Sequence, residues 1–153
     1  MISIGKKIQF QAFDEKGFEY SQKTYLGRWL LLYFYPKDDT PGCTKEACAI
    51  RDSWKEFKEA NISVLGVSIQ NATSHQKFRE KYQIPFPLLV DEDRKLVEMF
   101  GAWRKKKFMG REYMGTERIS FLINTEGKIQ KIYEKIKPEE HASEILRDVL
   151  SYQ

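Results

Sequence analysis

Trp29-Leu30-Leu31-Leu32-Tyr33-Phe34-Tyr35 is an unbroken apolar and aromatic run, the pattern of a strand buried on both faces. Pro36 ends it, and Asp38-Asp39-Thr40-Pro41-Gly42 reads as a loop. Ala47, Ile50, Trp54 and Phe57 then recur at three- and four-residue steps. That spacing predicts an amphipathic helix through about Ala60, with Asn61 as its stop. Ile62-Ser63-Val64-Leu65-Gly66-Val67-Ser68 is a second buried strand. Strand, helix and strand within about 40 residues predict a right-handed parallel crossover.

Outward from this unit, Ile8 to Phe13 alternates and Gly17 follows within a turn, which predicts an N-terminal edge hairpin. A second helix is expected from about Ser74 to Tyr82, then a short strand at Leu88-Leu89-Val90 flanked by Pro85 and Pro87. Asp91 suits the cap of a third helix over Glu92 to Phe100, closed by Gly101. Trp103 to Gly115 reads as a polar, basic loop. Ile119 to Asn124 is a strand, Thr125-Glu126-Gly127 a turn, and Lys128 to Glu134 the returning hairpin partner. Pro138 is expected to open a final helix with Ala142, Ile145, Leu146, Val149 and Leu150 on its inner face. The order is βαβ, an insertion, then ββα. It predicts an α/β, thioredoxin-like fold: a central mixed sheet flanked by helices, with an N-terminal β-hairpin extension.

Composition bounds the rest. A chain of 153 residues suits one domain over 1–153 with a sizeable core. At 41% hydrophobic and 31% charged residues it is too apolar for a disordered chain. No stretch approaches the ~20 apolar residues of a membrane span. Met1 to Gln9 carries neither an apolar signal region nor a small-residue cleavage site, so a cytoplasmic location is expected. A net charge of +4 is too mild to demand nucleic acid and chiefly aids solubility. Two Cys make at most one bridge, so no structural disulfide framework is expected.

The chemistry lies in Pro36-Lys37-Asp38-Asp39-Thr40-Pro41-Gly42-Cys43-Thr44-Lys45-Glu46-Ala47-Cys48. Thr40 suits an N-cap and Pro41 the first helical position, which puts Cys43 in the first turn. There the unpaired backbone N–H groups and the helix dipole favour an anion, and the thiolate is the reactive form of Cys. Cys48 lies five residues on. On an intact helix the two Cα atoms are about 8.6 Å apart and the side chains about 140° apart. A disulfide tolerates at most ~7 Å, so bridging requires the first turns to unwind. A thiolate attacked by peroxide becomes a sulfenic acid, which condenses with a nearby thiol. Charge developing on the leaving oxygen calls for donors. The Thr40 hydroxyl, the Cys43 N–H and an Arg would serve, and Arg118 leads because it stands at the mouth of the strand Ile119 to Ile123.

Pro36, Thr40 and Cys43 match the signature P-x-x-x-T-x-x-C of the peroxiredoxins. Pro41 to Cys48, Gly101-Ala102-Trp103, Phe108-Met109-Gly110 and Gly115 to Ile123 further resemble the bacterioferritin comigratory protein, or peroxiredoxin Q, subfamily. The similarity runs from about Phe10 to the C-terminal helix. It implies a thiol peroxidase reducing hydrogen peroxide and organic hydroperoxides, without metal, haem or flavin. Cys43 would be the peroxidatic and Cys48 the resolving cysteine. Thr40 and Arg118 would activate peroxide and thiolate, Pro36 would shield the site, and thioredoxin would be the usual reductant. By the same resemblance the chain is expected to be a monomer. One departure is visible: Ser68-Ile69-Gln70 stands where many relatives carry an Asp at the third position.

Other readings are weaker. A zinc site fails because C-x₄-C is wider than the usual knuckle and His75 and His141 lie on separate predicted helices. A Cys-His hydrolase needs a base near the nucleophile, and nothing local supplies one. A thioredoxin-type oxidoreductase wants C-x-x-C, which is absent. The run Arg104-Lys105-Lys106-Lys107 beside Trp103 and Phe108 is short and suits a solvated loop better than a nucleic-acid surface. A non-catalytic redox sensor or adaptor using the same disulfide switch is the alternative from another class.

Overall fold

A computed structural model describes residues 2–153; Met1, the first residue of the expected 1–153 domain, lies outside the described residues. The strands are β1 (Gln11–Asp14), β2 (Glu19–Ser21), β3 (Trp29–Phe34), β4 (Ile62–Ser68), β5 (Leu88–Val90), β6 (Trp103–Phe108), β7 (Arg111–Thr116), β8 (Ile119–Ile123) and β9 (Ile129–Tyr133). The helices are α1 (Pro41–Asp52), α2 (Trp54–Glu59), α3 (Ala72–Tyr82), α4 (Lys95–Met99) and α5 (His141–Ser151). A mixed sheet runs in the order β2-β1-β5-β4-β3-β8-β9. Next to the central strand β4, β3 pairs parallel with β4 and antiparallel with β8.

Every residue of β3 is buried, as its unbroken apolar sequence requires. Alternate side chains feed two cores. Leu31, Tyr33 and Tyr35 meet α1, α2, α3 and α5 through Ile50, Phe57, Phe78 and Ile145. Leu30, Leu32 and Phe34 face Leu96 and Val97 of α4 together with Ile8 and Phe10. The chain leaves β3 at its C-terminal end, where parallel strands place their functional loops, and enters α1 through Pro36 to Thr40.

Several local expectations change. The helix expected through Ala60 breaks at Ser53, whose N–H is shared between the carbonyls of Ala49 and Ile50, giving α1 and α2. The second helix starts two residues early, because Asn71 caps it by accepting from Ser74 N. The third starts only at Lys95, after Arg94 in the left-handed region. Asp91 still receives the N–H groups of Leu96 and Val97. Pro138 forms a turn rather than the helix start, and Leu150 is exposed. β1 is interior, since it pairs with β5 as well as β2; within this hairpin the edge strand is β2.

The largest correction is Trp103 to Gly115. It is not a loop but the two-stranded hairpin β6–β7, turning at Met109 and Gly110. Both turn residues have positive φ, 51° and 80°, as a tight hairpin turn demands. The hairpin hid in the sequence because most of both faces is exposed, leaving no apolar alternation to read.

Candidate active site

α1 begins at Pro41, with Thr40 in extended conformation at the N-cap position. The first α1 hydrogen bond runs from Thr44 N to Thr40 O, at 2.8 Å. Thr40 does not cap with its side chain; its hydroxyl donates to Lys37 O at 2.8 Å. A hydroxyl has one proton, so with that proton on Lys37 its oxygen is left to accept. The structure thus leaves the Thr40 hydroxyl oxygen able to accept rather than to donate.

Cys43 sits in the first turn, 1% exposed. Arg118, immediately before β8, reaches across to it. Its Nη2 lies 3.4 Å from Cys43 Sγ, and its Nη1 donates to Glu46 Oε1 at 2.8 Å. Residues 43 and 46 share a helix face, so one guanidinium spans both. Glu46 is the residue that sequence reasoning passed over: its i+3 spacing from Cys43 marks a shared helix face but not its burial. Its side chain is fully buried and its Oε2 has no hydrogen-bond partner. Burial pushes the Glu46 carboxyl up to about 7, with Arg118 opposing. Burial pushes Arg118 down, but Glu46 and Cys43 together outweigh it and leave Arg118 above its ordinary value. The cation is therefore permanent, shared between the Cys43 sulfur and a carboxyl that carries its full charge only above neutrality.

Gly42 makes that reach possible. A Cβ there would stand 2.8 Å from Arg118 Nη2, the nitrogen facing Cys43. Tyr33, from β3, buries its hydroxyl without a partner; burial first, then the charges of Glu46 and Cys43, hold it well above its ordinary pKa, so it remains a neutral phenol.

Cys48 is half-buried further along α1, and both cysteines are free thiols. Burial raises the Cys48 pKa despite Arg51 nearby. Pro36 is half-buried directly beyond β3. The two histidines are engaged elsewhere. His75 Nδ1 faces Asp38 and its Nε2 faces Leu89 O, at 2.6 and 2.8 Å. His141 meets Glu144 and Ser120, at 2.9 and 2.8 Å. With both nitrogens of each ring occupied, neither serves Cys43 as a base, which removes the hydrolase reading.

Known proteins resemble this chain in sequence and in fold. The AhpC/TSA family model matches residues 4–132. The chain is 45% identical to peroxiredoxin Bcp of Bacillus subtilis over 147 residues, which cover 95% of this chain and 94% of that protein. A cysteine-to-serine mutant of Xylella fastidiosa PrxQ superposes with a TM-score of 0.93 at 30% identity, over 99% of this chain and 98% of that one. A Xanthomonas campestris bacterioferritin comigratory protein, solved as trapped intermediate and ligand complexes bearing on alkyl peroxide reduction, superposes at 0.87 with 33% identity, over 94% and 91%. A thioredoxin-like sheet, a cysteine at the start of the first long helix and relatives of this identity over nearly the whole length lead to one assignment: the chain belongs to the AhpC/TSA family, among the Bcp and PrxQ peroxiredoxins.

Proposed function

We propose that the chain, 1–153, acts as one domain that reduces hydrogen peroxide and organic hydroperoxides, with Cys43 as nucleophile. The observation that carries the reading is the 3.4 Å approach of Arg118 Nη2 to Cys43 Sγ at a helix start. The guanidinium and the free N–H groups of the first turn favour the thiolate there. The Cys43 sulfur attacks the near oxygen of ROOH, the O–O bond breaks, and RO⁻ leaves to take up a proton as ROH. Thr40 Oγ1 accepts the hydroperoxide O–H, Arg118 and the first-turn N–H groups stabilise the charge on the departing oxygen, and Pro36 shields the site. Alkyl peroxide reduction by the Xanthomonas relative supports organic hydroperoxides as substrates.

Cys48 then resolves the sulfenic acid. Its thiol sulfur displaces the hydroxyl of Cys43–SOH, giving a disulfide and water. The folded helix holds the pair too far apart, so the first turns of α1 unwind. The start of α1 carries no side-chain cap, which lowers the cost of unwinding by about 1 kcal/mol. A dithiol such as thioredoxin restores both thiols and takes the oxidising equivalents. The enzyme works as a cytoplasmic monomer. Among the described residues no helix is long and apolar enough to cross a membrane.

The test is intact-mass spectrometry of reduced protein, rapidly quenched after one equivalent of hydrogen peroxide. Fast loss of two hydrogens, abolished in each single Cys variant, is expected. Oxidation at the pace of an unactivated thiol would overturn the assignment of Cys43.

A further inference from the structure

Asp38 is 7% exposed, yet it lies in the loop between β3 and Cys43. Three donors converge on its carboxyl: Tyr35 Oη on Oδ1 at 2.6 Å, Ser74 Oγ on Oδ2 at 2.7 Å and His75 Nδ1 beside Oδ2 at 2.6 Å. His75 is wholly buried, and its Nε2 faces Leu89 O of β5 at 2.8 Å. A carbonyl only accepts, so Nε2 carries a proton. The buried pair is thus a hydrogen-bonded link between the loop, the first turn of α3 and β5.

The next residue, Asp39, repeats the attachment at the other end of α3. It accepts from Lys81 Nζ at 2.8 Å and Tyr82 Oη at 2.6 Å. Its φ of +57° is a conformation that non-glycine residues hold only when their surroundings enforce it. Beyond α1's unwinding turns, Arg51 Nη1 donates to Tyr82 O at 2.7 Å. One helix therefore holds the loop at both of its own ends and also holds the far end of α1.

We infer that Asp38 and His75 are positioning residues for the attack on peroxide: they fix the Pro36–Thr40 loop to α3 so that Thr40 and the first turn of α1 present Cys43 correctly, and they take no part in the resolving step. This rests on Cys43 being the peroxidatic cysteine. The link works through hydrogen-bond geometry. Oxidation is then slowed when the loop drifts, whereas disulfide formation, in which α1 has already left the site, is not.

The two steps are read separately by stopped flow and quenched mass spectrometry on the full chain. Asp38→Ala and His75→Ala are expected to slow Cys43 oxidation at least tenfold while Cys43–Cys48 disulfide formation stays within threefold of wild type. Asp38→Asn is the rescue: its amide still accepts from Tyr35 and donates to a neutral Nδ1, so oxidation returns to within threefold. Unchanged oxidation in Asp38→Ala, equal slowing of both steps, or an Asp38→Asn as slow as Asp38→Ala would each overturn the inference. Should the alanine variants not fold, Ser74→Ala removes one donor from the Asp38 carboxyl and is expected to slow oxidation two- to fivefold, resolution again unchanged; wild-type rates for both steps would count against it. Wild-type Cys43 failing to oxidise rapidly would instead break the underlying reading.

Discussion

Cys43 and Cys48 stand five residues apart on one helix, and their surroundings differ in every respect that matters to a thiol. Cys43 is sealed in the first turn against a guanidinium that never loses its charge. Cys48 is half-exposed, and burial without a hydrogen-bonded cation raises its pKa. In the proposed mechanism, position along a helix makes one residue type the nucleophile at one end and a waiting thiol further on. The intact helix holds the two apart. The contrast is sharpest in what each substitution should do.

The largest effect belongs to Cys43→Ser. A serine hydroxyl stays protonated at neutral pH and cannot take the peroxide oxygen, so peroxide consumption should fall at least a thousandfold. Substantial residual turnover in a coupled assay would place the chemistry elsewhere. Cys48→Ser should separate the steps: one equivalent of peroxide is consumed at the wild-type rate, after which the protein stalls as a sulfenic acid that a dimedone probe labels. Full thioredoxin-driven turnover in that variant would mean that the reductant attacks Cys43 directly.

Gly42→Ala tests the Arg118 arm of the contrast. The new methyl would meet Arg118 Nη2 at 2.8 Å. The tip of a long side chain gives way more readily than backbone, so the clash is relieved by moving the guanidinium off Cys43. Alanine is also the better helix former. The expected result is therefore a stability within about 0.5 kcal/mol of wild type, with Cys43 oxidation slowed about tenfold, near the ~1.5 kcal/mol of one charged hydrogen bond. A large drop in melting temperature with an unchanged rate would show the glycine to be needed for the fold instead.

How much of this was legible in the sequence follows the same division. β3, β4 and the helix start announced themselves because each is buried or punctuated by Pro, and the Cys43, Thr40 and Cys48 spacing lies within one local segment. Arg118 was legible only as a charge at the mouth of an apolar strand. Glu46 was not legible as a functional residue, because an acid on an amphipathic helix usually faces solvent; its burial depends on Arg118 arriving from 72 residues away. Asp38 and His75 were hidden for the same reason, their meeting being set by how α3 lies against the sheet. The β6–β7 hairpin failed in the opposite sense: it exposes so much of both faces that tertiary burial left no mark on its sequence.

The smallest effect, and the most specific, concerns the carboxyl that shares the cation with Cys43. Folding raises Glu46 from an ordinary value near 4.5 to about 7, so the folded protein holds that proton more tightly than the unfolded chain. The stability this contributes is complete below about 4.5 and is lost as pH rises through about 7. Glu46→Gln keeps the shape and an acceptor for Arg118 Nη1 but cannot ionise. Between pH 4.5 and 7.5 the wild type should lose stability relative to Glu46→Gln, by up to about 3 kcal/mol from the size of the shift. Denaturant melts across that window measure the difference, and parallel curves would mean that Glu46 ionises normally despite its burial. The rate carries the second signature. Above neutrality the ionised carboxylate competes with the thiolate for Arg118, whereas glutamine does not. Cys43 oxidation in Glu46→Gln should match wild type near pH 6 and exceed it two- to threefold near pH 8.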